Sequence, residues 1–123
     1  MNINLLKAID WSLGRFVVRM LPRQKPVPLT QAGSFLIIRP GGIGDAVLLI
    51  PSLISLKNTF PGSTIHVLAE RRNSAAFSLC SCIDKIYHYD RPRDLLRAIK
   101  GTYDVVIDTE QWYRLSAAVA RLT

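Results

Sequence analysis

Three glycines separate two apolar runs in Arg39-Pro40-Gly41-Gly42-Ile43-Gly44-Asp45, and this stretch constrains the fold more than any other. The residues before it, Ser34-Phe35-Leu36-Ile37-Ile38, read as a strand buried on both faces. The residues after it, Ala46-Val47-Leu48-Leu49-Ile50, open a helical pattern. A strand, a glycine turn and a helix in that order are the start of a βαβ unit. Glycine reaches φ > 0 and lets a ligand approach the backbone closely. The unpaired N–H groups of the new helix point into the same space. In an open parallel sheet, ligands bind beyond the carboxyl ends of strands, at the topological switch point. The reactive side chain placed there is Asp45.

The rest of the chain repeats the alternation. The first helix is expected over about Gly44 to Thr59, with a kink or a fresh first turn at Pro51. Thr64–Ala69 reads as the second strand, and Asn73 or Ser74 as the cap of a short helix through Cys80. Lys85–Tyr89 reads as the third strand. Asp90 is the expected cap of a helix ended by Gly101, Tyr103–Ile107 the fourth strand, and Gln111–Leu122 a last helix. Strands alternating with helices imply right-handed crossovers and an all-parallel, Rossmann-like α/β sheet. Strand order 3-2-1-4 would set the first and fourth strands side by side at the switch point. The loop from Pro40 to Asp45 would then share a crevice with Asp108 to Trp112. Val105-Val106-Ile107 suits the middle of a sheet, and no later strand is there to cover its far edge. The folded unit from residue 34 to 123 is therefore read as part of a larger domain: a fragment, a split gene product or a remnant.

Residues 1 to 25 form a separate segment. Leu6, Ile9, Leu13, Phe16, Val17 and Met20 recur at helical spacing, with five basic residues against the single acid Asp10. Asp10, Arg15 and Arg19 interrupt the apolar run, which excludes a signal peptide or a membrane span. Such a helix either lies on an anionic membrane or packs on the domain through its stripe. Pro22, Pro26 and Pro28 make residues 26–33 a stiff linker. The whole chain carries a formal charge of +7, which points to an acidic partner. Cys80 and Cys82, two residues apart and the only cysteines, read as free thiols of a reducing compartment.

Two chemistries compete for the glycine turn. As a dinucleotide site, Gly42-x-Gly44 would hold a pyrophosphate and Glu70 a ribose, but Val47 stands where the third glycine belongs and Asp45 puts a negative charge beside the phosphates. As a general base, Asp45 would take a proton from a hydroxyl to which a group is transferred; the alternative is that Asp45 only caps the helix. Arg39, Arg71, Arg72 and Arg114 either bind carboxylates and phosphates or form a solvated rim. Glu110 and Trp112 face the same crevice, where Trp112 either stacks on a sugar or packs in the core. His66 and His88 have no metal-ligand partners at useful spacing and read as structural.

From Phe35 through Arg39, Gly44-Asp45 and Pro51-Ser52-Leu53, the chain resembles the opening of glycosyltransferase family 9, the lipopolysaccharide heptosyltransferases. Phe60-Pro61, Ile83-Asp84-Lys85-Ile86 and Tyr103-Asp104-Val105-Val106-Ile107-Asp108 extend the resemblance towards the end of the chain. It implies the N-terminal, acceptor-binding part of a type B glycosyltransferase with two Rossmann-like domains. In such an enzyme the absent C-terminal half binds a nucleotide sugar, ADP-heptose in most members. The resemblance further implies inverting transfer to a glycolipid acceptor, with no metal and no cofactor besides the sugar donor. Asp45 would be the base, and Arg39, Gly41, Gly42, Gly44, Glu110, Trp112 and Arg114 would face the acceptor. The location it implies is cytoplasmic, peripheral on the inner membrane, with no nucleic acid as partner. A nucleotide-binding module and a non-catalytic membrane-surface protein are the alternatives.

A peptide of residues 1–25 is expected to co-sediment with anionic vesicles at low salt and to release as salt rises, because part of the attraction is screened charge. Equal binding to neutral and anionic vesicles would remove the electrostatic part of this reading.

Overall fold

A computed structural model of the protein describes residues 28–110. After a single 3-10 turn at Leu29–Gln31 come β1 (Ser34–Arg39), α1 (Ile43–Thr59), β2 (Thr64–Ala69) and α2 (Arg71–Ser78). β3 (Lys85–His88), α3 (Pro92–Lys100) and β4 (Val105–Asp108) follow. All strand pairs are parallel, and the order is β3-β2-β1-β4. The chain is thus a Rossmann-like α/β unit with the strand order expected from its sequence. The amphipathic segment at residues 1–25, most of the linker and the helix expected after residue 110 lie outside the described residues.

β1 is the centre of the sheet. Its Phe35, Leu36, Ile37 and Ile38 are each at most 1% exposed. The two-residue period of a strand sends Phe35 and Ile37 to one face, Leu36 and Ile38 to the other. On the first face they pack with Ala46 and Leu53 of α1, Ile65 and Val67 of β2, and Ala76 and Phe77 of α2. On the second they pack with Leu68, Tyr87 and Ala98 of α3. Crossover handedness explains the division. From β1 to β2 to β3 the chain steps in one direction, so right-handed connections put α1 and α2 on one face. From β3 to β4 it steps back past β1, and the same handedness puts α3 on the other. Among the described residues β4 pairs only with β1, and Ile107 is 37% exposed.

Two aspartates fix the amino ends of the strands. Asp104 accepts bonds from the Gly33 and Ser34 backbone N–H groups at 2.8 and 3.0 Å and from Ser34 Oγ at 3.0 Å. Asp84, before β3, accepts from the Ile65 N–H at 2.8 Å. Each acid thereby ties its own strand to the neighbouring one and sets the register at that end.

Several boundaries differ from the sequence expectation. α2 begins at Arg71, with Glu70 rather than Asn73 or Ser74 as its cap. Glu70 and Asn73 form a reciprocal capping box, which satisfies two orphan donors at once, whereas a cap at Asn73 would satisfy one. α3 is capped by Arg91, not Asp90, because Pro92 sits best at the first helical position, where no N–H is needed. α1 runs unbroken through Pro51, so no fresh first turn forms there. The bond that Pro51 cannot donate belongs to the Val47 carbonyl, and both residues lie on the exposed side. Gly101 ends α3 as expected, but for want of space: a Cβ there would lie 2.6 Å from the Tyr103 ring. β4 begins at Val105 rather than Tyr103, since Tyr103 turns to His66, with its hydroxyl 3.0 Å from Nδ1.

The three bonds accepted by Asp104 hold its carboxyl below the usual range, led by that from the Gly33 N–H. A depressed pKa contributes stability that is present above the unfolded value and lost as pH falls through the folded one. Asp104→Asn is therefore expected to lower the melting temperature at neutral pH and to converge with wild type as pH drops below about 4. Thermal melts of the two proteins from pH 7 to 2.5 check this; a constant gap would assign the effect to packing.

Candidate functional site

The crevice predicted at the switch point is present. Its floor is the end of β1, where Arg39 leaves the sheet beside the loop that follows β4. The Arg39 side chain is only 15% exposed. Nη1 donates to the Thr109 carbonyl at 2.8 Å, and Nη2 lies 2.7 Å from Asp45 Oδ2. Thr109 in turn returns to β1, donating from N and Oγ1 to the Ile38 carbonyl at 3.0 and 2.8 Å. One guanidinium thus joins the loop after β1 to the loop after β4. Arg39 is a half-buried tie rather than a solvated rim. Its Nε is buried without a partner, a cost of ~1–3 kcal/mol that the two charge-assisted bonds offset.

Asp45 is not the cap of α1. Gly42 occupies the cap position and offers no side chain, and Asp45 lies three residues on, within the first turn. Its carboxylate is 58% exposed at one corner and fixed by Arg39 at another. Arg39, Asp45, Leu48, Leu49 and Thr109 line an open cleft of about 200 Å³. A carboxylate aimed by a half-buried arginine and open to a cleft can accept a proton from a bound hydroxyl.

The glycines have unequal roles. Among the described residues Gly41 alone has a positive φ, +114°, a conformation that L side chains rarely adopt. Gly42 and Gly44 have ordinary backbone and stand exposed, and nothing lies within 4 Å of where a Gly44 Cβ would be. Carboxylates flank the turn: Asp45 Oδ2 lies 3.7 Å from the Cβ position of Gly42, and Glu110 Oε2 lies 3.9 Å from that of Gly41. Two negative groups over these glycines oppose a pyrophosphate. Glu70, which a ribose site would need, instead caps α2 and pairs with Arg72 at 2.6 Å.

Arg39, Gly41, Gly42, Gly44, Asp45 and Glu110 are therefore brought together at the carboxyl ends of β1 and β4, while Trp112 and Arg114 lie outside the described residues. Leu48 and Leu49 were not anticipated, and Thr109 was expected at the crevice only as part of the segment Asp108 to Trp112. The signal for Thr109 was its place as the first loop residue after the strand beside β1. Leu48 is 78% exposed, and an apolar residue at a cleft edge carries no sequence mark that separates it from a core leucine.

His66, between Tyr87 and Tyr103, is pushed towards its neutral form by burial. Cys80 and Cys82 are free thiols, and burial and the bond with Cys80 push Cys82 up to about 11, so it stays protonated at neutral pH. Among the described residues no group of three His, Cys, Asp or Glu side chains is placed to hold a metal ion, and no helix is long and apolar enough to cross a membrane. Comparison with protein-family models, curated proteins and solved structures found no match.

Arg39→Met is expected to destabilise the domain by ~1–3 kcal/mol, since it strips the Thr109 carbonyl and Asp45 of their shared donor. Asp45→Asn keeps an acceptor for Arg39 at an exposed position and should cost less than ~1 kcal/mol. Denaturant titration of both variants measures the order, and a larger loss for Asp45→Asn would make Asp45 a structural anchor.

Proposed function

We propose that this chain is the acceptor-binding portion of an inverting glycosyltransferase of the lipopolysaccharide heptosyltransferase type, with Asp45 as general base. The observation that carries the reading is the Asp45 carboxylate itself: exposed, held at 2.7 Å by a nearly buried Arg39, and open to a cleft at the switch point. The resemblance to that family, from about residue 34 to the end, supplies the substrate class.

In this reading the acceptor is a glycolipid whose hydroxyl enters beside Asp45. The hydroxyl gives its proton to Asp45 as its oxygen attacks the anomeric carbon of the donor. The nucleoside diphosphate leaves from the opposite face, so the configuration inverts. The donor, ADP-heptose by resemblance, would be held by a second Rossmann-like domain. Leu48 and Leu49 give the sugar an apolar wall, while Gly42 and Gly44 leave room for its approach. The basic segment at residues 1–25 would hold the chain to the anionic cytoplasmic face of the membrane that carries the acceptor. The carboxylates over Gly41 and Gly42 weigh against a dinucleotide module.

The test joins this chain to the donor-binding domain of a heptosyltransferase, in cis or as a second chain, and follows sugar transfer to a lipid A core acceptor. Asp45→Asn is expected to lower kcat by ~10²–10⁴-fold with little change in KM. Asp108→Asn and Glu110→Gln should cost less. Near-normal kcat for Asp45→Asn would leave Arg39 and Asp45 as a structural pair and overturn the proposal.

A further inference from the structure

The carboxyl ends of β2 and β3 bring together a second group of side chains, none of which lines the cleft. His88 is the last residue of β3, Ser74 lies in the first half of α2, and Asp94 is in the first turn of α3. Asp94 Oδ2 is 3.3 Å from the His88 backbone N–H and 3.1 Å from its Nδ1. Two contacts to one oxygen fix the plane of the ring. Nε2 then lies 3.3 Å from Ser74 Oγ. Asp94 and His88 are 19% and 23% exposed, so water competes weakly for the contact between them. The bond from His88 holds the Asp94 carboxyl below its usual range, which keeps the acid charged where it faces the ring.

A hydroxyl, an imidazole and a carboxylate in that sequence of contacts are the parts of an activated nucleophile, recognised by roles rather than by chain position. With the imidazole proton on Nδ1, that N–H donates to Asp94 and Nε2 is free to accept from Ser74. The Ser74 hydroxyl also lies 3.1 Å from the Arg71 carbonyl, one turn back. Its single proton serves one acceptor at a time, and rotation about the C–O bond moves it from Arg71 to His88. Ser78, one turn further along α2, makes the same backward bond, to the Ala75 carbonyl at 2.7 Å. Ser74 is half-buried beside His88, whereas Ser78 is exposed at the end of the helix.

We propose that Ser74, His88 and Asp94 form a second reactive centre, with Ser74 as a nucleophile towards carboxylic esters. His88 Nε2 takes the Ser74 proton as Oγ bonds to the ester carbonyl carbon. The ester C–O bond then breaks, and the leaving alkoxide takes that proton from His88. Water attacks the acyl-serine, its proton passes through His88 to Oγ, and a carboxylic acid and free Ser74 result. Asp94 is a positioning residue that holds the Nδ1–H tautomer. Arg71, exposed one turn before Ser74 on the same helix, is the cation assigned to stabilise the oxyanion, since Arg72 is paired with Glu70. With Arg91 and Arg93 exposed at the start of α3, it favours esters that carry a negative charge.

The full chain is incubated with a fluorophosphonate probe, which bonds to activated serines, and the adduct is mapped by mass spectrometry. The expected result is an adduct on Ser74 and none on Ser78. Labelling is lost in Ser74→Ala and slowed at least ~10²-fold in His88→Gln. In Asp94→Asn it is slowed more than the melting temperature of that variant accounts for. Hydrolysis of 4-nitrophenyl hydrogen succinate should be faster than that of the neutral acetate ester and should fall with the same variants. If His88→Gln does not fold, the comparison of Ser74 with Ser78 in the wild-type chain decides. Equal labelling of the two serines, no adduct on Ser74, or an undiminished rate in a folded His88→Gln variant would each overturn the proposal and leave His88 as a bridge between α2 and α3.

Discussion

The structure depends on burial of one strand on both of its faces. Phe35, Leu36, Ile37 and Ile38 leave β1 no polar side to show to water. A strand of that kind needs neighbours at both edges and cover above and below. Parallel neighbours require crossovers, and crossovers bring helices. The chain meets these demands by stepping outwards through β2 and β3 and then returning past β1 to β4. That return moves α3 to the second face and opens the crevice between the ends of β1 and β4. The site is therefore a geometrical consequence of covering β1, and its chemistry is decided by which side chains stand at those two strand ends.

Fixed charges do the local positioning, and they fall at opposite ends of the sheet. At the amino ends, Asp84 and Asp104 satisfy backbone N–H groups that would otherwise face solvent at the sheet margin. At the carboxyl ends, Arg39 performs the complementary task by binding a carbonyl and a carboxylate with one rigid fork. Lysine could not hold both partners in one plane. The buried side of Arg39 serves the fold, and the exposed side of Asp45 is left for chemistry. Asn73 adds a further link, donating from the α2 capping box to the Arg39 carbonyl at 3.0 Å. The end of β1 is thus braced by both neighbouring loops, which holds Asp45 steady without enclosing it.

Much of this was legible in the sequence because the signals are periodic or local. The apolar run at Phe35–Ile38 marks the central strand, Gly41 marks a turn that needs positive φ, and alternation of strands and helices limits the topology to few choices. The position of Asp45 after a glycine turn identified the candidate base. The misread helix caps share a cause: competition between neighbouring residues. Glu70, Asn73 and Ser74 are all acceptable helix caps, and the choice of Glu70 follows from the reciprocal bond with Asn73. Asp90 and Arg91 compete before Pro92, and the proline settles it. For Asp45, the residue type also suited a cap, whereas the chain begins the helix earlier and turns that carboxylate towards Arg39.

By itself the sequence determined the fold class, the strand order and the crevice at which Arg39, Gly41, Gly42, Gly44 and Asp45 meet. These follow from hydrophobic period and crossover handedness, which are properties of the chain's pattern. Only the tertiary structure decided that the Arg39 side chain is largely covered and reaches Thr109, seventy residues away, and that Leu48 and Leu49 wall the cleft. It alone decided that Ser74, His88 and Asp94, on three different elements, lie within hydrogen-bond reach of one another. Contacts between residues far apart in sequence depend on how elements pack, and side-chain packing leaves no periodic trace in the sequence from which such pairings could be read.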